Sequence, residues 1–297
     1  MSANDSTHFE YVYLKALKDV LETGQRRTTR NATTLSKFGV KLDFDIRHHF
    51  PLLTTKKMYW HGIVGELLWF LRGDTNAKHL DADRITIWNP NTTREYLDSV
   101  GLHAYAEGDC GPIYGYQWRR FNAPYRGCDA VYGPDEGVDQ LQQCIDLIRD
   151  DPQSRRMFMS AWNPQQLGEM CLPPCHVSYQ FYVDEAANEL SCMMYQRSGD
   201  MFLGIPFNIA SVALLVYLMA RVTGRLPGAI TLVIGDAHIY ESHVDAVRRQ
   251  LERHPFPPAQ LVLRPAAAGK PIDEYLETDI HLVGYVAHPA IRAAMVA

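Results

Sequence analysis

The chain has few cysteines, and their spacing predicts neither disulfide bonds nor a zinc site. Six cysteines are scattered over 297 residues without a Cys-x-x-Cys pair, whereas disulfide-stapled domains are short and dense in cysteine. The nearest two, Cys171 and Cys175, enclose two prolines that stiffen the spacer, and no second pair accompanies them. We therefore expect reduced thiols and no metal cofactor.

The sequence also lacks an apolar run long enough to span a bilayer. Its longest predominantly apolar run, 209–220, is shorter than the roughly 20 residues that a membrane helix needs. The first residues contain no apolar signal core behind basic residues. These absences predict a soluble, cytoplasmic protein that has no membrane partner.

An excess of positive charge is missing as well. Lys and Arg number 29 against 34 Asp and Glu, which gives a formal net charge of −5. Such a chain has no overall attraction for nucleic acid, so none is expected as a partner. An anionic ligand must instead be held by local arginines, and a small phosphorylated molecule fits this requirement.

Neither internal repeats nor a low-complexity linker divides the 297 residues. Hydrophobic residues make up 46% and charged residues 21%, which is typical of a folded globular protein. We therefore expect one large domain over 1–297, with the polar residues 1–8 disordered.

Hydrophobic periodicity predicts four helices and a hairpin. One helix is closed by Gly24, one surrounds Glu66 with apolar residues and ends near Gly73, and the others cover 138–148 and 209–222. Alternation predicts a hairpin of 177–183 with 190–194, a buried strand follows at 229–234, and 25–34 is expected to be an exposed basic loop. Without regular βαβ spacing, this order favours an α+β domain with one mixed β-sheet flanked by helices.

Cys175 is a candidate nucleophile, because two prolines lead into it and His176 follows at a strand start. Most such cysteines are small buried hydrophobic residues, so reactivity depends on neighbours that lower the thiol pKa. Arg155, Arg156 and Arg197 would favour a thiolate if the fold gathers them near the sulfur. His176 is a poor general base for Cys175, since adjacent strand residues point to opposite faces, which argues against a papain-like hydrolase.

Other polar segments leave two interpretations open. The pair Arg155–Arg156 is either a solvated face or a phosphate site, because guanidinium groups match phosphate oxygens bidentately. Asn208 either caps the helix after it or pairs with a base edge that offers one donor and one acceptor. Residues 235–240, Gly-Asp-Ala-His-Ile-Tyr, form either a structural turn or one wall of a ligand crevice.

A series of ordered motifs resembles the thymidylate synthase family over nearly the whole chain. The motifs are Pro-Leu-Leu-Thr-Thr-Lys at 51–56, Glu-Leu-Leu-Trp-Phe at 66–70, Gly-Pro-Ile-Tyr-Gly at 111–115, Ser-Arg-Arg at 154–156, Pro-Pro-Cys-His at 173–176 and Gln-Arg-Ser-Gly-Asp at 196–200. The resemblance implies that family's α+β fold, a homodimer, and conversion of dUMP to dTMP with 5,10-methylenetetrahydrofolate as donor of carbon and hydride.

The resemblance also implies a role for individual residues. The implied catalytic set, with Cys175 adding to C6 of uracil, is Cys175, Glu66, Tyr114, Asn208, His176 and Asp200. The dUMP set, whose first two members reach into the partner subunit's site, is Arg155, Arg156, Gln196, Arg197, Ser198, Asn208, His238 and Tyr240. The folate set is Trp88, Asn91, Asp200, Leu203, Gly204, Phe207 and Ala297.

Three segments depart from the family pattern. Thr-Arg-Asn-Ala-Thr-Thr at 29–34 replaces Arg-Thr-Gly-Thr-Gly-Thr, which displaces the phosphate arginine to Arg30. Val-Ala at 286–287 replaces Asn-Pro, and Asn89 replaces an acidic residue. Because these parts normally exclude water, an alternative is a dUMP 5-hydroxymethylase, in which water captures the same intermediate and tetrahydrofolate is released.

Two residues weigh on the alternatives. Trp88 favours the synthase, because its ring is expected to shield the exocyclic methylene from water. Asn208 argues against a cytosine nucleotide as substrate. A regulatory, RNA-binding homologue is disfavoured by the negative net charge and by the retained Cys175, Glu66 and Tyr114.

Overall fold

The computed structural model describes residues 8–29, 32–265 and 269–296, and a six-stranded mixed sheet lies at its centre. Its strands are β1 Gln25–Thr28, β2 Thr33–Asp45, β3 Phe158–Ser160, β4 His176–Asp184, β5 Glu189–Asp200 and β6 Leu226–Tyr240. They lie in the order β1-β2-β6-β5-β4-β3. The β5–β6 pair is parallel and its neighbours are antiparallel. A small antiparallel ribbon joins β7 Gln260–Leu263 to β8 Ile280–Val283.

Helices flank this sheet, which confirms the predicted α+β class. They are α1 Glu10–Thr23, α2 Trp60–Leu71, α3 Ala77–Ala82, α4 Arg94–Ser99, α5 Tyr114–Arg120, α6 Gln140–Asp150, α7 Gly204–Thr223 and α8 Val244–Leu251. The connection between the parallel strands β5 and β6 is α7, which packs on both of them. Parallel neighbours need such a crossover, because the end of one strand and the start of the next lie at opposite edges of the sheet.

The helix α7 is longer than the apolar run predicted. Its 20 residues have a mean hydropathy of 1.7 in the most apolar window, so by length and composition alone it could cross a membrane. That expectation of insufficient length was therefore wrong. In the folded chain 72% of the window is buried, and core helices of globular proteins have the same length and composition.

The predicted helices and the predicted hairpin are confirmed, with one error at the edge of the sheet. Residues 25–34 are largely a hairpin rather than a loop, because β1 pairs with β2. The threonines favour extended backbone. The basic side chains find acidic partners beside the strand, since Arg26 pairs with Glu241 and Arg27 with Asp236, at 2.5 and 2.9 Å.

Three expectations concern residues outside the described ranges. Residues 1–7, Arg30 and Ala297 all lie there, so disorder, the displaced arginine and the terminal folate contact stay predictions. His8 is described and its Nε2 lies 2.9 Å from the carbonyl oxygen of Phe256. The prediction of disorder was therefore wrong for His8.

A buried carboxylate connects the first helix to residues 54–55, which precede α2. Glu10 is fully buried and accepts four hydrogen bonds, from the backbone N–H and the hydroxyl of both Thr54 and Thr55, at 2.5 to 2.8 Å. Gln250 of α8 donates to the Thr55 hydroxyl over 2.9 Å. This network fixes α1, α8 and residues 54–55 relative to one another.

We predict that Glu10→Gln lowers the free energy of unfolding by about 2–4 kcal/mol, because an amide NH₂ then faces buried donors that lose their acceptor. Chemical denaturation monitored by circular dichroism measures the change. Glu22→Gln on the same helix is the control, since Glu22 is exposed and meets only Lys18 at 3.8 Å. Equal stability of the two variants would contradict an anchoring role for Glu10.

Candidate active site

Most of the predicted site residues line one cavity of about 340 Å³ at the carboxyl ends of β5 and β6. Alternate residues of a strand share a face, so β5 presents Gln196, Ser198 and Asp200 together. The parallel register places Ser198 beside Asp236 and Asp200 beside His238. The remaining predicted residues that line the cavity are Glu66, Trp88, Asn91, Tyr114, Cys175, His176, Leu203, Gly204, Phe207, Asn208 and Tyr240.

Cys175 is held against Arg197 at the entry to β4. The Arg197 guanidinium donates to the carbonyl oxygens of Pro174 and Pro173 over 2.9 and 2.8 Å. Its Nη2 lies 3.9 Å from Cys175 Sγ, and its backbone N–H donates to the Cys175 carbonyl. The prolines supply carbonyls without competing N–H groups, so the turn holds the positive charge beside the sulfur.

Tyr114 contacts the same turn from the other side. Its hydroxyl accepts a hydrogen bond of 2.7 Å from the backbone N–H of Cys175. Burial and the nearby Cys175 raise the pKa of Tyr114 far above its usual value, so the phenol stays neutral. Burial also raises the pKa of the Cys175 thiol, although Arg197 and Tyr114 act to lower it. The expected lowering by three gathered arginines is therefore not seen: among the described residues only Arg197 is beside the sulfur.

An aromatic wall with a single acid closes the opposite side of the cavity. Trp88 Nε1–H donates to Glu66 Oε1 over 2.8 Å, and the Phe70 ring stacks on Tyr114 at 4.8 Å. Burial raises the pKa of Glu66 to about 7, against the opposing effect of the Trp88 hydrogen bond. Glu66 is thus divided between acid and carboxylate near neutral pH, which is the condition for exchanging protons with a ligand.

A glycine permits this wall to form. Gly115, the second residue of α5, lies directly against α2, and a Cβ there would clash with the backbone of Phe70. Its absence lets the two helices approach, which brings Tyr114 onto the ring of Phe70.

Amide groups and a neutral imidazole form the floor of the cavity. Gln196 donates through Nε2 to Asn208 Oδ1 over 3.1 Å and to the Ser198 carbonyl over 2.9 Å. His176 Nδ1 lies 2.8 Å from the Tyr179 hydroxyl. Burial lowers the pKa of His176 to about 4, although Asn208 acts in the other direction. His176 is therefore uncharged at neutral pH, as befits a group that orients its neighbours.

The strand β6 contributes a second polar wall. His238 Nδ1 lies 3.3 Å from Asp236 Oδ1, and the Tyr240 ring meets the His238 ring edge-on at 5.0 Å. Asp236 also accepts from the Ser36 hydroxyl over 2.7 Å. Hydrogen bonding by His238 lowers the pKa of Asp236, so a carboxylate holds this imidazole in place.

Asp200 is the acid on the apolar side of the cavity. Its Oδ1 accepts the backbone N–H groups of Phe202 and Leu203 over 2.8 and 3.2 Å. Its Oδ2 faces His243 Nδ1 at 3.8 Å. Leu203 and Phe207 line the same side. This side of the cavity therefore combines apolar side chains with one carboxylate.

Some predicted residues are not brought to this cavity. Arg155 lines a separate surface cavity of about 350 Å³ on the open face of the sheet, together with Tyr182 and Met193. Arg156 lines neither cavity. Within a single chain the pair therefore does not reach the predicted phosphate position.

The structure adds residues that sequence reasoning missed. They are Phe70, Ile87, Leu172, Met295 and Val296, which line the cavity, and His243, which contacts its rim. Phe70 follows Glu66 by one helical turn, so helical spacing was a usable signal. Met295 and Val296 had no such signal in the sequence. Their position depends on the path by which the chain after β8 folds back to the cavity.

The described residues contain no cluster of three or more His, Cys, Asp or Glu side chains arranged to hold a metal ion. The cysteines of the described chain are all free thiols.

Comparison with known proteins identifies the family. Residues 11–297 match the profile described as thymidylate synthase. Thymidylate synthase of Homo sapiens is 48% identical over 290 residues, which cover 97% of this chain and 91% of the human protein. Thymidylate synthase of human herpesvirus 8 is 48% identical over 293 residues, or 98% of this chain and 85% of the viral one.

A bifunctional dihydrofolate reductase-thymidylate synthase of Zea mays is 50% identical over 289 residues, which cover 97% of this chain. The chain spans about half of that longer relative, 54% of its length. The family profile covers nearly the whole chain, and the identity to the human and viral proteins is 48% over 91% and 85% of their lengths. The chain therefore belongs to the thymidylate synthase family.

Proposed function

We propose that this chain converts dUMP to dTMP by reductive methylation. The observation that carries the proposal is the placement of Cys175 Sγ beside Arg197, with the Tyr114 hydroxyl on the same turn and the Glu66–Trp88 pair in the same cavity. These are the positions at which the family resemblance places nucleophile, proton acceptor and acid. When bound, 5,10-methylenetetrahydrofolate supplies the one-carbon unit and the hydride.

In this proposal Cys175 makes the first bond. Its sulfur adds to C6 of uracil, and the electrons of the C5–C6 double bond move toward O4, so that C5 becomes nucleophilic. Arg197 favours the thiolate electrostatically, in opposition to burial. In this proposal the thiolate of Cys175 forms fully only when the nucleotide is bound. A second source of positive charge near the phosphate would favour this thiolate.

Glu66 and Tyr114 take part in the proton transfers of the later steps. Glu66, with its pKa near 7, exchanges a proton with the uracil carbonyl side of the cavity. Tyr114 lies against the Cys175 turn, where its oxygen assists removal of the C5 proton. Asn208 and Gln196 present the amide edge that reads uracil, and Ser198 and Arg197 serve the phosphate. His238 and Tyr240 hold the sugar hydroxyl.

Leu203, Gly204, Phe207, Trp88 and Asn91 form the folate side, with Asp200 as its carboxylate. The relatives reported above are named as synthases, and no observation favours the hydroxymethylase alternative. We also propose one catalytic domain over 1–297, supported by a shared hydrophobic core, and a cytoplasmic location, supported by free thiols.

A homodimer completes the proposal, because one face of the sheet is open. The helix α7 covers one face, whereas the other exposes Tyr182 at 67%, Met193 at 45% and Tyr195 at 40%. The register aligns Met193 with Thr231 and with Gln180 across neighbouring strands, so the exposed surface is continuous. Arg155 lies on this face, from which it would reach the partner's nucleotide.

The product assay tests the reaction directly. The protein is incubated with dUMP and methylenetetrahydrofolate, the nucleotide is analysed by mass spectrometry, and dihydrofolate is followed by absorbance. We expect a methylated nucleotide with matching dihydrofolate. A hydroxymethylated nucleotide without dihydrofolate would replace the synthase by the hydroxymethylase.

We predict that Cys175→Ser lowers the turnover number by at least about three orders of magnitude, because a hydroxyl is a much weaker nucleophile at neutral pH. The dissociation constant for dUMP, measured by calorimetry, should stay within about threefold, since Arg197 and the amide floor are unchanged. Cys128→Ser, outside the cavity, is the matched control. Normal turnover in Cys175→Ser would remove this residue from the mechanism.

We predict that Glu66→Gln removes a pH dependence of stability. The folded pKa of Glu66 lies above its ordinary value of 4.5, at about 7, so the folded wild type retains a proton that the unfolded chain releases. Its contribution is full below pH 4.5 and is lost as the pH rises through 7, a change of about 3 kcal/mol. Relative to the wild type, Glu66→Gln should gain stability over this interval while turnover falls.

The measurement is chemical denaturation of both proteins at intervals between pH 4.5 and 8. A difference in unfolding free energy that does not change with pH would show that Glu66 is ionised throughout this range.

We predict that two inactive variants complement each other. Homodimers of Cys175→Ser and of an Arg155→Glu, Arg156→Glu double variant should each be nearly inactive. Subunit exchange should restore about one quarter of wild-type activity, because half of the dimers are hybrids and each hybrid has one intact site. Native mass spectrometry verifies that hybrids form. Hybrids without activity would show that the arginines serve their own subunit.

A further inference from the structure

His243 contacts two parts of the cavity that the proposed mechanism does not connect. It ends the short helical turn before α8 and is 1% exposed. Its Nε2 lies 2.8 Å from the carbonyl oxygen of Ala294. Its Nδ1 faces Asp200 Oδ2 at 3.8 Å and has no hydrogen-bond partner within the described chain. One ring therefore stands between a returning segment and the carboxylate on the folate side.

The returning segment, residues 285–296, is attached to the body of the protein at successive points. The Tyr285 hydroxyl donates to the Leu53 carbonyl over 2.8 Å, and the His288 N–H donates to Thr54 over 2.8 Å. Arg253 donates to the Pro289 carbonyl over 2.7 Å. Beyond the His243 contact at Ala294, Met295 and Val296 line the cavity. The His243 contact at Ala294 is thus the attachment next to the two residues that line the cavity.

The carboxylate on the other side of the ring is half satisfied. Asp200 Oδ1 accepts two backbone N–H groups, whereas Oδ2 is turned toward the imidazole. An imidazole with a proton on Nδ1 stabilises this orientation of the Asp200 carboxylate. An imidazole with a lone pair on Nδ1 destabilises it.

Charged and aromatic groups around the ring are few. Lys56 Nζ lies over the Phe202 ring, 3.8 Å from its centroid, and the rings of Phe202 and Tyr240 lie 5.6 and 5.4 Å from the imidazole. Burial and Lys56 oppose protonation of His243, but the negative charge of the nearby Asp200 carboxylate and the bond to the Ala294 carbonyl outweigh them and raise its pKa. The surroundings thus favour a ring that donates at both nitrogens.

We propose that His243 is a positioning residue that fastens residues 294–296 over the folate side of the cavity and, through its other nitrogen, orients the Asp200 carboxylate. The proposal rests on the proposed function, because it assigns that side of the cavity to folate. If His243 only filled space in the core, its replacement would lower stability. It would not change KM for the folate more than KM for dUMP, and the Gln and Asn variants would behave alike.

The two nitrogens can be tested separately. The amide nitrogen of Gln stands at about the position of Nε2 and that of Asn at the position of Nδ1, while Phe keeps the ring and removes both donors. Hydrogen–deuterium exchange with mass spectrometry reports protection of residues 293–296 without any ligand. Peptides from α7, 204–223, report global folding in the same experiment.

We expect His243→Gln to retain exchange protection of 293–296 within about twofold, because the bond to Ala294 persists. His243→Asn and His243→Phe should accelerate exchange there by about tenfold, the effect of losing one buried hydrogen bond to a charged group. His243→Phe should raise KM for methylenetetrahydrofolate by a similar factor and leave KM for dUMP within about twofold. His243→Gln should recover part of that loss.

A matched control is available in His61. Its Nε2 lies 2.8 Å from the carbonyl oxygen of Asp83 and its Nδ1 lies 2.7 Å from Glu277 Oε2, which reproduces the same bridge away from the cavity. His61→Phe should change neither exchange at 293–296 nor KM for the folate.

Two results would overturn the proposal: unchanged exchange at 293–296 in His243→Phe with α7 still protected, or equal rises in KM for dUMP and folate. If His243→Phe does not fold, the Gln and Asn variants decide, since equal exchange rates in the two would exclude the Ala294 bond. Exchange needs no turnover, so failure of the product assay would overturn the reaction while this test still judges the attachment.

Discussion

The parallel pairing of β5 with β6 is the constraint on which the pocket depends. Parallel strands end at the same edge of a sheet, so Gln196, Ser198 and Asp200 meet His238 and Tyr240 there. The crossover between the strands is α7, whose first turn starts at Gly204 beside Asp200. Asn208 and Phe207 therefore reach the same edge. A shift of one residue in the β5–β6 register would turn the polar set toward the opposite face of the sheet.

Burial is the second influence, and it has a different effect on each group. It raises the pKa of Glu66 to about 7, lowers the pKa of His176 to about 4 and raises the pKa of the Cys175 thiol. The common cause is that each charged form is disfavoured away from water. Glu66 becomes an acid that titrates near neutral pH, His176 is a neutral imidazole, and the Cys175 thiol keeps its proton although Arg197 lies beside it.

Two sides of the pocket are not built by the sheet edge itself. The end of this chain covers one side, and in the proposed dimer the partner subunit supplies the phosphate side. Residues 294–296 return from beyond β8 to cover one side, held by contacts such as that of His243. Arg155, one of the arginines expected at the phosphate, lies on the open face of the sheet. Exposed apolar residues on a sheet face are typical of a protein-protein interface, and the proposed dimer would complete the phosphate side.

The sequence by itself determined the helices with strong periodicity, the β4–β5 hairpin, the α+β class and the motifs that identify the family. These follow from local patterns and from side-chain chemistry carried by contiguous residues. It did not predict that 25–28 forms a strand, because pairing with β2 depends on tertiary contacts at the sheet edge. It did not reveal His243, Met295 or Val296 as neighbours of the pocket either. Only the tertiary structure decided those positions and the pKa of each buried group, because both depend on contacts between residues far apart in the chain and on the water that those contacts exclude.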